Sequence, residues 1–325
     1  MIQYIIRRVL YALPLLVGVN ILTFVLFFVV NSPDDMARMQ LGQKHVTESA
    51  VENWKRQRGY DLPLLWNPDA PAQEKITRTI FYQKSVGLFW FDFGISDSGR
   101  NISADIKQRM WPSLVVALPS LVLGLLVNIV VALMMVLFRR SYLEFGGVIL
   151  CVVLMSVSSL FYIIGGQFLI GKVLKLVPIS GYDSGLDAIK FIVLPVIIGV
   201  ISGIGSGARW YRTLFLEEVE KDYVRTARAK GLTETQVLFR HVLKNAMIPI
   251  LTGVVVVLPL LFMGSLIMES FFSIPGLGSY TIDAIGSQDF AIVRSMVFLG
   301  SVLYIVGLLL TDISYTLVDP RVRLS

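Results

Sequence analysis

Apolar residues run along this chain in blocks too long for the core of a soluble domain. The first, residues 9–30, reads "VLYALPLLVGVNILTFVLFFVV". At 1.5 Å per residue it extends about 33 Å, the depth of a bilayer's hydrocarbon core. Five further blocks occupy residues 113–138, 145–170, 191–208, 247–268 and 296–318. Together they predict an all-α polytopic membrane protein of about six transmembrane helices. A sizeable extracytoplasmic segment, residues 31–112, separates the first two. The first block outruns a secretory signal's apolar stretch of about 7–15 residues, and no small-residue cleavage site follows it. It is therefore read as an uncleaved span.

The basic residues at the block ends set the orientation. They fall in four groups: Arg7 and Arg8; Arg139 and Arg140; the run from Arg209 to Lys244; and Arg321 with Arg323. With six spans all four lie on one side, which the positive-inside bias makes cytoplasmic. Both termini are then cytoplasmic. The expected organisation is an N-terminal span (1–30), the outer segment (31–112), a five-helix core (113–318) carrying a cytoplasmic loop (209–246), and a short tail (319–325).

Composition agrees. The chain is 55% hydrophobic and 16% charged, against about 25% charged in soluble domains, and its mean hydropathy is +0.70. A net charge of +6 would suit nucleic acid, but the positive-inside bias already accounts for it, so no nucleic-acid partner is expected. The single cysteine, Cys151, can build neither an internal disulfide nor a multi-cysteine metal site. Asp312 is the one carboxylate deep in a span. It is read as a paired acid near the cytoplasmic end, because a lone acid makes a poor proton relay. Gly199, Gly203 and Gly207 follow each other at four-residue steps, a small-residue face suited to close helix packing.

Catalytic chemistry is missing from the pattern. "GQFLIGKV" (166–173) imitates a phosphate-binding loop, but Val173 stands where the hydroxyl belongs, and the segment ends an apolar block instead of joining a strand to a helix. His45 and His241, the only histidines, have no ligand partners nearby in sequence. No catalytic, cofactor-binding or metal-binding residue is expected of this chain, and it is not read as an enzyme.

One polar stretch interrupts the apolar second half: "KDYVRTARAKG", residues 221–231. Its surroundings are helical and amphipathic. Gly231 reads as a helix stop and Thr233 as the cap of a new start, so two short helices should meet at Gly231. Val224, Ala227 and Gly231 form a small, smooth stripe. Bulky residues would suit a helix lying on lipid, whereas small ones suit a helix entering a cleft of a soluble partner. A solvated loop and a lipid-bound helix remain the alternatives.

The residues 222–249, "DYVRTARAKGLTETQVLFRHVLKNAMIP", closely resemble the cytoplasmic loop of permease subunits of ABC importers, and more narrowly the peptide/nickel permease family. The general E-A-A-x-x-x-G pattern reads here Arg225, Thr226, Ala227 and then Gly231. "LVPISGYD" (176–183), "MESFFSIPGLGSYTIDAIGSQDF" (268–290) and "LTDISYTLVDPRVR" (310–323) are similar to the family's other conserved-pattern blocks. "FDFGIS" (91–96) resembles G-D-L-G-x-S, with Phe91 in place of the glycine.

The resemblance implies an ABC importer type-1 transmembrane fold and a permease subunit of an ATP-driven importer, forming half of the pathway for a solute, most readily di- or oligopeptides. Its implied partners are a second homologous permease, two ATP-binding subunits that carry ATP and magnesium, and an extracytoplasmic solute-binding protein, all at a bacterial inner membrane. Asp222, Tyr223, Arg225, Thr226, Ala227, Arg228, Ala229, Lys230, Gly231, His241 and Asn245 would form the ATPase-coupling loop. Ala227 and Gly231 would allow close docking while Arg225 and Arg228 fix orientation. Pro275, Gly276 and Gly278 would shape an extracytoplasmic turn, either near the binding protein or as a tight re-entry turn. Oligosaccharide or nickel-chelate cargo, a non-transporting scaffold that recruits a cytoplasmic partner, and an ion-driven transporter are the competing readings.

Overall fold

The computed structural model of the chain describes residues 2–42 and 46–318, the side chains of 2–5 and 315–318 excepted. His45 and the tail 319–325, with Arg321 and Arg323, lie outside the described residues. In chain order the helices are α1 (Ile2–Phe24, continued by a π-helical turn Val25–Val30), α2 (Pro33–Leu41), α3 (Glu48–Arg58), α4 (Ile80–Ser85), α5 (Ile102–Leu137), α6 (Tyr142–Ser156) and α7 (Ser159–Gly166). They continue with α8 (Ala188–Val219), α9 (Asp222–Ala229), α10 (Glu234–Val237), α11 (Leu243–Val257), α12 (Leu266–Phe272), α13 (Leu277–Gly286) and α14 (Phe290–Val318). The regular structure of the described residues is helical apart from one isolated bridge between Ile95 and Asn101.

Among the described residues, five helical stretches are long and apolar enough to cross a membrane: 6–30, 102–137, 185–219, 234–263 and 290–314. The sixth expected span is two helices, α6 and the stretch Ser159–Val173, bent by 87° at residues 157–158. The expectation of one continuous helix over 145–170 is corrected here. No proline makes the break. Ser158 caps the N-terminus of α7 by accepting from Leu160 N–H (3.4 Å), and the Tyr162 hydroxyl donates to the carbonyl of Leu154 (2.7 Å). Side chains thus satisfy backbone groups that a bend leaves open, the condition for irregular backbone at membrane depth.

Two expected boundaries also move. The second span starts within a helix that begins at Ile102, and the fourth continues as helix through the basic residues to Val219. At 1.5 Å per residue, the 36 residues of α5 extend about 54 Å, well beyond a hydrocarbon core of about 30 Å.

The chain divides into two compact units. The first is built mainly from residues 1–109 and 280–309. Its core gathers Phe24 and Phe28 of the first span with Met36, Val51, Trp54, Tyr60 and Ile80 of the segment that follows. Aromatic rings interlock there: Phe28 meets Tyr60 edge-on at 5.4 Å, and Phe24 meets Phe81 at 5.0 Å. Burial is the main cause that pushes the Tyr60 hydroxyl up to about 12. Arg58 stacks on Trp54 and ion-pairs with Asp97 (3.0 Å), whose backbone N–H donates to Asp289 (2.9 Å).

The second unit is built mainly from residues 110–279. Its glycine packing differs in detail from the expected face. A Cβ at Gly199 would sit in ordinary contact with Ser120, and one at Gly207 would press on Asn128, both on α5; at Gly203 it would meet nothing within 4 Å. The closest approach to another helix's backbone belongs to Gly205, where a Cβ would lie 2.5 Å from the Cys151 carbonyl oxygen and 2.7 Å from Met155 N on α6. Backbone cannot yield as a side-chain tip can, so Gly205 lets α6 and α8 touch.

Gly205→Ala should destabilise the protein by about 1–3 kcal/mol through overpacking, while Gly203→Ala, a helical position with open space, should hold or slightly raise stability; thermal unfolding of the detergent-purified protein separates the two. Phe91, which stands where the related pattern has glycine, adopts a left-handed conformation (φ 57°) and is exposed. That conformation costs a non-glycine residue about 1–2 kcal/mol, partly offset by glycine's larger unfolded-state entropy. Phe91→Gly is therefore expected to raise the melting temperature in the same assay.

Candidate functional site

The stretch 221–231 folds as expected in outline. α9 carries Asp222, Tyr223, Arg225, Thr226, Ala227, Arg228 and Ala229; Lys230 closes it, and Gly231 turns the chain at φ 79°. α10 then starts on a reciprocal cap between Thr233 and Gln236.

Its orientation is the reverse of the expected one. Val224 is 0% exposed and Ala227 4%. They do not face outward but lie in an apolar cluster with Ile129, Leu133 and Val136 of α5, Phe215 and Val219 of α8, and Val242, Ala246 and Ile250 of the fifth span. The small stripe is needed because α9 must approach three spans of its own chain closely. The expectation that Ala227 docks in a partner's cleft is corrected accordingly. Gly231 stays exposed, with nothing within 4 Å of a built Cβ; its requirement is the positive φ.

What α9 offers outward is mostly polar: Asp222, Arg225, Thr226, Arg228 and Lys230 are exposed, with the small Ala229 among them. Asp222 pairs with Arg225 at 3.3 Å, and Arg228 makes a two-pronged bond to Glu234 at 2.8 and 3.1 Å, tying α9 to α10. Such exposed pairs add little stability, but they fix which donors face solvent. Glu218, at the end of α8, accepts from both Lys221 and the Tyr223 hydroxyl. Tyr223 is also hydrogen-bonded to Asn245, and burial together with the bond to Glu218 pushes its hydroxyl up to about 12, so it donates throughout the physiological range. Asn245 donates in turn to the His241 carbonyl (3.1 Å). Asn245 thus braces Tyr223 from the fifth span, while His241 takes part only through its carbonyl; His241 is half-buried and Asn245 exposed.

A second feature lies within the same unit. A cavity of 510 Å³ is lined by Ser113, Ser120, Ser159, Ser202 and Ser265, by Glu269, and by apolar side chains including Ile163, Leu261 and Met268. Gly199 and Pro195 form part of its wall. Ser120 and Ser202 donate to carbonyls of their own helices, at 2.8 and 3.1 Å, which leaves their lone pairs available to an occupant.

Glu269, not singled out from the sequence, organises this region. It is 1% exposed. Its carboxylate accepts from the backbone N–H groups of Ser265 (3.3 Å), Ser279 (3.0 Å) and Gly278, and from the Ser113 hydroxyl. Ser113 accepts in turn from Leu277 N–H (2.8 Å). Burial pushes the Glu269 carboxyl up, and these bonds pull it back. Every partner is a donor, which suits an acceptor-only carboxylate. Gly276 and Gly278 are buried: a Cβ at Gly276 would collide with Glu269, and one at Gly278 would lie 2.6 Å from the Ser265 carbonyl. Pro275 remains exposed. The glycines therefore serve the tight turn around the carboxylate. The acid six residues before Pro-Gly-Leu-Gly signals in hindsight a group that collects the turn's free N–H donors.

Glu269→Gln places an amide NH2 among donors only. It should cost about 1–3 kcal/mol, seen as a lower melting temperature in detergent, whereas Glu269→Asp should retain part of the stability.

With this geometry in hand, comparison with known proteins is informative. Residues 113–324 match the family model described as the binding-protein-dependent transport system inner membrane component, and residues 1–68 match the N-terminal model of the same systems. The chain is 32% identical to a protein of Brucella abortus (strain 2308) named as a peptide transport system permease, over 99% of each chain. It is 29% identical to the dipeptide transport system permease protein DppB of Bacillus subtilis (strain 168), over 100% of this chain and 99% of that one. It is 28% identical to the glutathione transport system permease protein GsiC of Salmonella choleraesuis (strain SC-B67), over 99% of each. An all-helical membrane fold, a polar finger seated on three spans and a hydroxyl-lined cavity thus occur in a chain that belongs to the family of binding-protein-dependent transport system inner membrane components, the permease subunits of ABC transporters.

Proposed function

We propose that this chain forms half of the pathway of an ATP-driven peptide importer at a bacterial inner membrane, with both termini cytoplasmic. A second permease would complete the pathway. Two ATP-binding subunits would bind and hydrolyse ATP, and a solute-binding protein would deliver cargo on the side of residues 31–112. The observation that carries this reading is the seating of α9. A partner gripping Asp222, Arg225, Thr226, Ala229 and Lys230 would move a rigid finger whose other face is embedded in three spans. ATP would act by binding one arrangement of the partners better than the other, and the finger would carry that preference into the membrane helices.

Two further features fit. In none of the five long spans is more than 39% of the most apolar window buried within this chain, so large apolar faces call for lipid or a second subunit. The serine-lined cavity would be this chain's share of the pathway. Hydroxyls at span depth can exchange hydrogen bonds with a peptide backbone whatever its side chains, and its apolar wall tolerates apolar ones. The names of the related permeases favour peptide over oligosaccharide or metal chelate as cargo.

The test is uptake of labelled peptide into proteoliposomes holding the assembled complex and its binding protein. Uptake should need ATP, and Ala229→Trp, on the exposed face, should abolish it while leaving the melting temperature unchanged. Ala227→Trp should instead lower the melting temperature. Normal uptake in the Ala229→Trp complex rules out the docking face proposed here.

A further inference from the structure

The first unit holds a cavity of 540 Å³, within the range of about 300–1,000 Å³ typical of small-molecule sites. Its walls carry both signs of charge. Most are already engaged. Asp97 holds Arg58 and accepts from Gln40 (3.1 Å). Asp289 accepts from the N–H groups of Ile292 and Asp97, capping α14. Arg100 lies 3.6 Å from Asp105, which also accepts from the Tyr280 hydroxyl (3.0 Å).

Two lining groups are left over. Arg109 is stacked over the Tyr280 ring, 4.7 Å from its centroid, with no carboxylate within ion-pair distance among the described residues. Asp283, exposed on the next turn of α13, likewise has no cationic partner. Stacking leaves the guanidinium edge free for a two-pronged bond to a carboxylate. Tyr280 and Asp283 are three residues apart on one helix, roughly 4.5 Å along its axis. Arg109 and Asp283 therefore line one cavity with opposite charges, the pairing that the carboxylate and the ammonium group of a short peptide present.

We propose that this cavity is a receiving site for the charged ends of a short zwitterionic peptide, Arg109 taking the carboxylate and Asp283 the ammonium. The inference rests on the peptide-importer reading and adds a place where the chain itself reads free termini. The two charges are wasted on a neutral cargo and matched by a zwitterionic one.

The test uses the full complex in proteoliposomes with its binding protein saturated by each of three labelled tripeptides: free-ended, C-terminally amidated and N-acetylated. Arg109→Gln should lower uptake of the free-ended peptide about tenfold, the factor expected for one charge-assisted hydrogen bond. It should leave the amidated peptide untouched, and Arg109→Lys, which keeps the charge but loses the stacked, two-pronged geometry, should retain only part of the preference. Asp283→Asn should do the same for the free against the acetylated amino terminus. An equal fall for all three peptides, with a raised half-saturating concentration of loaded binding protein, identifies a protein-docking surface and overturns the proposal. Unchanged uptake in both variants overturns it as well. If the wild-type complex imports no peptide at all, the importer reading itself fails; peptide import without discrimination by these variants removes only this site.

Discussion

The burial of Val224 and Ala227 is the contact on which the working parts of this molecule depend. A finger of eight residues has too few internal hydrogen bonds to be stable as a helix on its own. It holds its shape because one face shares an apolar core with α5, α8 and the fifth span. Small side chains are the price of that closeness. The same core makes the finger a handle: displacing α9 without displacing the spans would open cavities among Ile129, Phe215 and Val242, and cavities in packed cores are costly. Packing density therefore ties the position of α9 to that of the spans, while its outer face stays charged and exposed.

A second constraint acts at the turn after the fifth span. Gly264, at φ 66°, breaks the helix, and α12 follows before the chain turns at Pro275–Gly278. Such a turn exposes several backbone N–H donors with no water at hand. Glu269 answers them from a single buried carboxylate, at the cost of desolvating a charge, and Ser113 ties the same knot to α5. The cavity beside it inherits a rigid wall and a row of hydroxyls. Both the finger and the knot thus join distant parts of one unit through groups that leave no room for substitution.

The sequence determined a good deal. Apolar block lengths set the membrane class and a count of five to six candidate crossings, because bilayer thickness and helix rise are fixed quantities. Gly231 and Thr233 marked the joint between α9 and α10, since left-handed backbone and N-cap geometry are local demands. The glycine step in the fourth span announced close packing, although Gly205, outside the step, makes the tightest contact with a neighbouring backbone. The order of the blocks around "RTARAKG" carried the family.

Tertiary structure decided what faces what. From sequence the small stripe of α9 could serve a partner or its own chain equally well, because a helix needs a small face wherever anything approaches it closely; only the positions of α5, α8 and the fifth span choose. The bend between α6 and α7 had no proline to announce it, and it depends on Tyr162 reaching a carbonyl eight residues back. The role of Glu269 was hidden because its donors come from 113, 265, 278 and 279. Local propensity reads neighbours along the chain, whereas burial, hydrogen-bond completion and charge pairing are settled by neighbours in space.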